Sequence, residues 1–90
     1  MITIEAGSRP RLRRGVRLVF DHTRGTHVLL SPETVLVPNA TAAAVLEHCA
    51  GVSTVDEITT RLRERFDGVR EADVTEILTR LAERRVVEWT

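Results

Sequence analysis

The stretch Thr34-Val35-Leu36-Val37-Pro38-Asn39 decides how the chain is arranged. Its β-branched and aliphatic residues predict a short strand without charge. Pro38 excludes helical dihedrals at Val37, so the strand must end there. Asn39 is then placed to cap the alanine-rich segment behind it, its side-chain oxygen accepting from an orphan amide of the first turn. A strand of this kind, leading straight into a helix, reads as the open edge of a small sheet.

Working back towards the N-terminus, Ser31-Pro32-Glu33 is a turn, and Val28, Leu29 and Leu30 form a second apolar strand. Asp21-His22-Thr23-Arg24-Gly25 is the turn before it. From Arg11 to Phe20 the period is two, with Val16, Leu18 and Phe20 on one face and Arg17 and Val19 on the other. Three consecutive strands with short turns predict an antiparallel meander whose edges are the first and third strands. The first carries Arg11, Arg13, Arg14 and Arg17, and charge on an edge discourages pairing. The third carries none between Thr34 and Val37. Residues 1–10, with weak alternation at Ile2 and Ile4 and then Gly7-Ser8-Arg9-Pro10, read as a flexible arm ahead of a single domain over 11–90.

Towards the C-terminus the period lengthens. Ala42, Val45, Leu46 and Cys49 make one helical stripe, with Gly51 expected just past its end. Thr54-Val55-Asp56-Glu57 fits a capping box, and Val55, Ile58, Leu62 and Phe66 supply a second stripe. Glu57 and Arg61 are spaced as a favourable i,i+4 pair. A third helix is expected from about Glu71 to Arg84, with Val74, Ile77, Leu78 and Leu81 inward. Val86 to Trp89 is a short extended tail whose Trp89 is expected to pack over the core. The fold class is α+β: a winged-helix-like domain, a three-stranded antiparallel meander followed by three helices.

Ninety residues make one domain with a thin core. Thirteen arginines balance thirteen acids, and there is no lysine. The balance hides a gradient: residues 1–30 carry six arginines against Glu5 and Asp21, and residues 31–90 seven against eleven acids. A neutral chain lacks the positive excess that general nucleic-acid binding requires. A lone Cys49 permits no internal disulfide, no stretch approaches the roughly 20 apolar residues of a membrane span, and the N-terminus lacks a signal-peptide run. The expected location is the cytoplasm, with no membrane partner.

Catalytic and metal chemistry find little to use. His48 and Cys49 are helical neighbours whose side chains diverge, while His22 and His27 have no Cys or acid at ligand spacing. No nucleophile elbow or glycine-rich phosphate loop is present, so no enzyme activity, metal or cofactor is expected. The helix-turn-helix reading of the second and third helices leaves a DNA-binding regulator as an alternative, but Glu71, Asp73, Glu76 and Glu83 offset Arg80, Arg84 and Arg85. The remaining reading is strand addition, in which a peptide pairs with the free edge and neighbouring side chains select it. On the third helix, Asp73, Ile77, Arg80 and Arg84 share one flank beside Val74, Leu78, Leu81 and Arg85. Ile77 could bury an aliphatic residue there, and the arginines could hold an acidic one. On this reading Leu36→Pro removes the pairing edge.

Arg14-Gly15-Val16-Arg17-Leu18, His27 to Glu33, Asn39 to Leu46, Gly51, Thr54 to Ile58, Asp73-Val74 and Leu78 to Leu81 together resemble the PqqD proteins of pyrroloquinoline quinone (PQQ) biosynthesis, over roughly residues 9–89. Two positions depart: Pro38 stands where the family usually has Leu, and Ala50 where it often has Asp. The resemblance implies a non-catalytic peptide chaperone, a recognition element for ribosomally made peptides. It would bind the precursor peptide PqqA as a further strand between strand three and helix three, and present it to the radical-SAM enzyme PqqE. Carried onto this chain, it names Thr34, Val35, Leu36 and Val37 as the pairing edge and Ile77, Arg80 and Arg84 as the groove; Asp73 and Leu81, placed beside them by the helical wheel, complete the candidate peptide-binding set. A recognition element of another ribosomal peptide pathway is the neighbouring alternative. A homodimer by exchange of the N-terminal arm is left open.

Overall fold

The computed structural model describes residues 3–90. In chain order the elements are β1 (Pro10–Leu12), β2 (Arg17–Asp21), β3 (Thr26–Leu30), β4 (Val35–Leu36), α1 (Ala40–Glu47), α2 (Val55–Arg63), α3 (Glu71–Glu83) and β5 (Val87–Trp89). Strands β2, β3 and β4 form the expected antiparallel meander, with β3 central. Leu18 pairs with Leu29, and Leu29 with Leu36, which puts these three on the face turned to the helices. The core beneath gathers Leu29, Val45, Leu46, Val55, Ile58, Leu62, Val74 and Leu78, all essentially without exposure. Half-buried Trp89 packs against it as expected.

The first strand differs from its expectation. The alternation from Arg11 to Phe20 is broken by a turn in which the Val16 amide donates to the Arg13 carbonyl at 3.0 Å and Gly15 takes φ 85°. That dihedral is open to glycine at little cost. The chain before the turn becomes β1 and pairs with the C-terminal β5 in a second, two-stranded sheet, Arg11 opposite Glu88. Arg11 is therefore bound to Glu88 at 2.7 Å rather than guarding the meander. Of the four arginines expected on that edge, only Arg17 lies in β2. Phe20, expected inward, is exposed and lies edge-on to the rings of His22 and His27.

The arm is also different. Ile2 lies outside the described residues, but Ile4 is buried and belongs to the core. The Val55 and Asp56 amides donate to the Ser8 and Ala6 carbonyls at 2.9 and 3.0 Å. Residues 6 and 8 thus satisfy two of the four orphan donors at the start of α2. Thr54 and Glu57 satisfy the box: the Thr54 amide donates to Glu57 Oε1 at 2.8 Å, and the Glu57 amide to Thr54 Oγ1 at 3.2 Å. With its carboxylate so engaged, and Arg9 3.9 Å away, Glu57 makes no ion pair with Arg61. Helix α1 ends earlier than Gly51 suggested, with His48 as its C-cap. Gly51 instead takes φ 79° beyond the Ala50–Arg11 bridge and donates its amide to the Pro10 carbonyl at 3.0 Å.

Helix α3 ends in a Schellman motif: the Val86 amide donates to the Leu81 carbonyl and the Arg85 amide to the Ala82 carbonyl, both at 2.9 Å. Arg85 occupies the left-handed position at φ 62°. Glycine is usual there, and a side chain costs about 1–2 kcal/mol.

A cleft between an open strand edge and helix α3

Strand β4 pairs with β3 on one side and with no strand of the described residues on the other. Its register sets which backbone groups are free. The Ser31 amide donates to the Thr34 carbonyl at 3.0 Å, so Ser31 and Thr34 are a hydrogen-bonded pair. Antiparallel ladders alternate, so Leu30–Val35 is a non-hydrogen-bonded pair and Leu29–Leu36 a hydrogen-bonded one. The amide and carbonyl of Leu36 face β3, and those of Val35 and Val37 face outward. Val35 offers this backbone while its side chain, 62% exposed, stands on the outer face of the sheet.

Alongside the free edge runs a cleft of about 190 Å³. Leu36, Val37 and Pro38 form one wall, Arg80, Leu81 and Arg84 of α3 the other, and Leu29 and Ala42 the floor. The mostly aliphatic lining would gain about 1.5–3 kcal/mol from an aliphatic side chain seated in it. The two α3 arginines differ. Arg80 Nη2 is held by Glu76 Oε1 at 2.7 Å, one turn back. Arg84, the C-cap of α3, has no ion-pair partner among the described residues.

Of the nine residues the sequence nominated, Leu36, Val37, Arg80, Leu81 and Arg84 line this cleft. Val35 joins it by backbone alone, and Thr34 borders an adjoining depression. Ile77 is half-buried against the core and outside the cleft wall. Asp73 is elsewhere: its carboxylate accepts from the Arg70 amide at 2.9 Å and anchors the start of α3. That hydrogen bond, reinforced by the Arg70 side chain, holds its pKa below the ordinary 3.8. The wheel placed Asp73 correctly by angle, but it lies seven residues before Arg80, about two turns along the axis. Leu29, Pro38 and Ala42 were missed. Leu29 was read as part of the second apolar strand, and Pro38 as a strand stop and a departure from the family's usual Leu.

The nominated metal and nucleophile candidates do not converge. Among the described residues no three His, Cys, Asp or Glu side chains are grouped to hold a metal. Burial pushes the Cys49 thiol up to about 12, and its Sγ donates to the carbonyl of Val45 in α1. No helix of the described residues is long and apolar enough to cross a membrane.

These features define a small α+β domain in which the β4 edge of a three-stranded meander lies open beside the third of three helices. Known proteins share this arrangement. The family model described as Coenzyme PQQ synthesis protein D (PqqD) matches residues 26–87. A "PqqA binding protein" of Azotobacter vinelandii is 42% identical over 82 residues, covering 88% of each chain. A "Bifunctional coenzyme PQQ synthesis protein C/D" of Methylorubrum extorquens is 44% identical over 82 residues; the match takes in 88% of this chain and 22% of that longer protein. A solution NMR structure of the PqqD truncation of Methylobacterium extorquens PqqCD, described as a functional and stand-alone recognition element for ribosomally synthesized and post-translationally modified peptides, superposes with a TM-score of 0.72. It is 44% identical, with 88% of this chain and 87% of that one covered. The chain belongs to the PqqD family.

Proposed function

We propose that this protein is a non-catalytic, cytoplasmic peptide chaperone of PQQ biosynthesis that binds the precursor peptide PqqA by strand addition to β4 and presents it to the radical-SAM enzyme PqqE. The observation that carries the reading is the unpaired edge of β4 facing an aliphatic cleft on α3. A peptide laid along that edge exchanges hydrogen bonds with the outward groups of Val35 and Val37, each contributing about 0.5–1.5 kcal/mol net. One of its side chains enters the cleft, and Arg84 stands ready for an acid. The relatives' description as PqqA binding proteins supports the ligand. A relative joined to a further PQQ synthesis protein in one chain supports close work with other proteins of the pathway. Phosphate binding by α3 is disfavoured, since Glu76 already neutralises Arg80.

The ladder moves the test from Leu36 to Val35. Leu36→Pro would cut the bonds to β3 and perturb the sheet, whereas Val35→Pro removes an outward donor. The expected result is a loss of PqqA affinity of about tenfold or more by titration calorimetry, with the far-ultraviolet circular dichroism of the wild type retained. A folded Val35→Pro protein that binds PqqA as tightly as wild type would overturn strand addition on this edge.

A further inference from the structure

Towards the N-terminal end of β4 lies a second depression of about 240 Å³, which shares Arg84 with the cleft. Its walls carry Arg13, Arg14, Arg84 and Arg85, with Thr34 and Glu33 at the rim. Four arginines and one acid, Glu33, thus line it. Arg14, Arg84 and Arg85 form no ion pair among the described residues, and Arg13 reaches Glu88 only at 3.9 Å, where Arg11 already holds that carboxylate at 2.7 Å. Three separate segments converge to build the cluster: the β1–β2 turn, the β3–β4 turn and the end of α3. Gly15 lets the first of these press close, since a Cβ there would lie 3.3 Å from Pro32 Cγ. Arg85 is held in its left-handed conformation at the position where glycine is ordinarily found. A non-glycine residue kept there against its preference points to a use for its side chain.

We propose that this depression is an acid-binding subsite for the same peptide that occupies the cleft. Its occupant is the side-chain carboxylate of an Asp or Glu, held by charge-assisted bonds from Arg14, Arg84 and Arg85. Arg84 lines both hollows, so the two anchors belong to one extended ligand. Along a paired strand each residue advances about 3.4 Å, and Thr34 precedes the cleft residues Leu36 to Pro38, which sets the acid about two to four residues from the aliphatic anchor. The inference rests on the strand-addition reading and adds to it a requirement on the ligand's sequence.

Arg85→Gly separates binding from folding, because glycine relieves the left-handed backbone while deleting the cation. Its thermal midpoint should match or exceed that of wild type, and its affinity for PqqA should fall. Combined with Arg14→Gln, the loss should reach roughly tenfold, with a shallower dependence of affinity on salt. Replacing the matching peptide acid by Gln should weaken wild type by a similar factor and leave the double variant unchanged. Amidating the peptide's C-terminus should change nothing; a loss there would assign the depression to the chain end and overturn the side-chain assignment. A double variant with wild-type affinity and salt dependence would overturn the subsite while leaving strand addition intact. Wild-type protein that binds no PqqA would overturn both.

Discussion

Two carboxylates show how much of this fold is settled within four residues. Glu57 and Asp73 each stand third in a helix and accept from the backbone amide of the residue before it, Thr54 and Arg70. Those hydrogen bonds are to the charged form, and they hold both pKa values below the ordinary 4.5 and 3.8. A depressed carboxylate contributes stability that is present above its unfolded value and lost as pH falls through its folded one. The urea midpoint should therefore be level above pH 4.5 and decline as the solution is acidified through the lowered values. Thr54→Ala removes the reciprocal half of one box and should cost about 1 kcal/mol at neutral pH. Asp73→Asn should flatten part of the acid decline. An acid limb identical in Asp73→Asn and wild type would show that the carboxylate adds nothing. Each pair lies within four residues, and the box Thr54-x-x-Glu57 was readable in the sequence. The wheel grouped Asp73 with Arg80 because it gives angle and discards height, and the structure places Asp73 at the start of α3, outside the cleft.

At the scale of elements, the sequence revealed the order of strands and helices but not every pairing. The meander was legible because β2, β3 and β4 are joined by short turns, and short turns make neighbours in sequence neighbours in space. Beside it, α3 presents two cations whose electrostatic standing could only be half read. The i,i+4 spacing of Glu76 and Arg80 foretold their pair, now seen at 2.7 Å. That Arg84, one turn on, is left without an acid follows from where the chain turns at Arg85. The two should consequently behave unequally towards PqqA. Arg84→Glu is expected to weaken binding roughly tenfold and to reduce its salt dependence, while Arg80→Glu costs only about two- to threefold. Isothermal titrations at two salt concentrations measure both. Equal losses from the two substitutions would mean that the Glu76 pair opens on binding.

Over the whole molecule the reading failed where distant segments meet. Nothing local in Ala6 or Ser8 marks their carbonyls as acceptors for α2, since any residue has a carbonyl. Nothing in Pro10-Arg11-Leu12 announces a partner 77 positions away, as Arg11 and Glu88 prove to be. Yet these contacts join the two ends of the chain: β1 pairs β5, the Arg9 amide donates to the Thr90 carbonyl, and Ile4 enters the core. Ile4 lies by Thr75, Thr79 and Trp89, on the flank of α3 that does not line the cleft beside β4. Stability and binding should therefore come apart at this residue. Ile4→Ala removes a side chain only 7% exposed and should cost about 2 kcal/mol in urea unfolding, the low end for such a change because the site borders solvent. Below the unfolding range, its affinity for PqqA should equal that of wild type. An unchanged midpoint would mean that the N-terminal segment is held by its backbone bonds alone. A lowered PqqA affinity in the folded Ile4→Ala protein would instead tie this flank of α3 to the cleft across the helix.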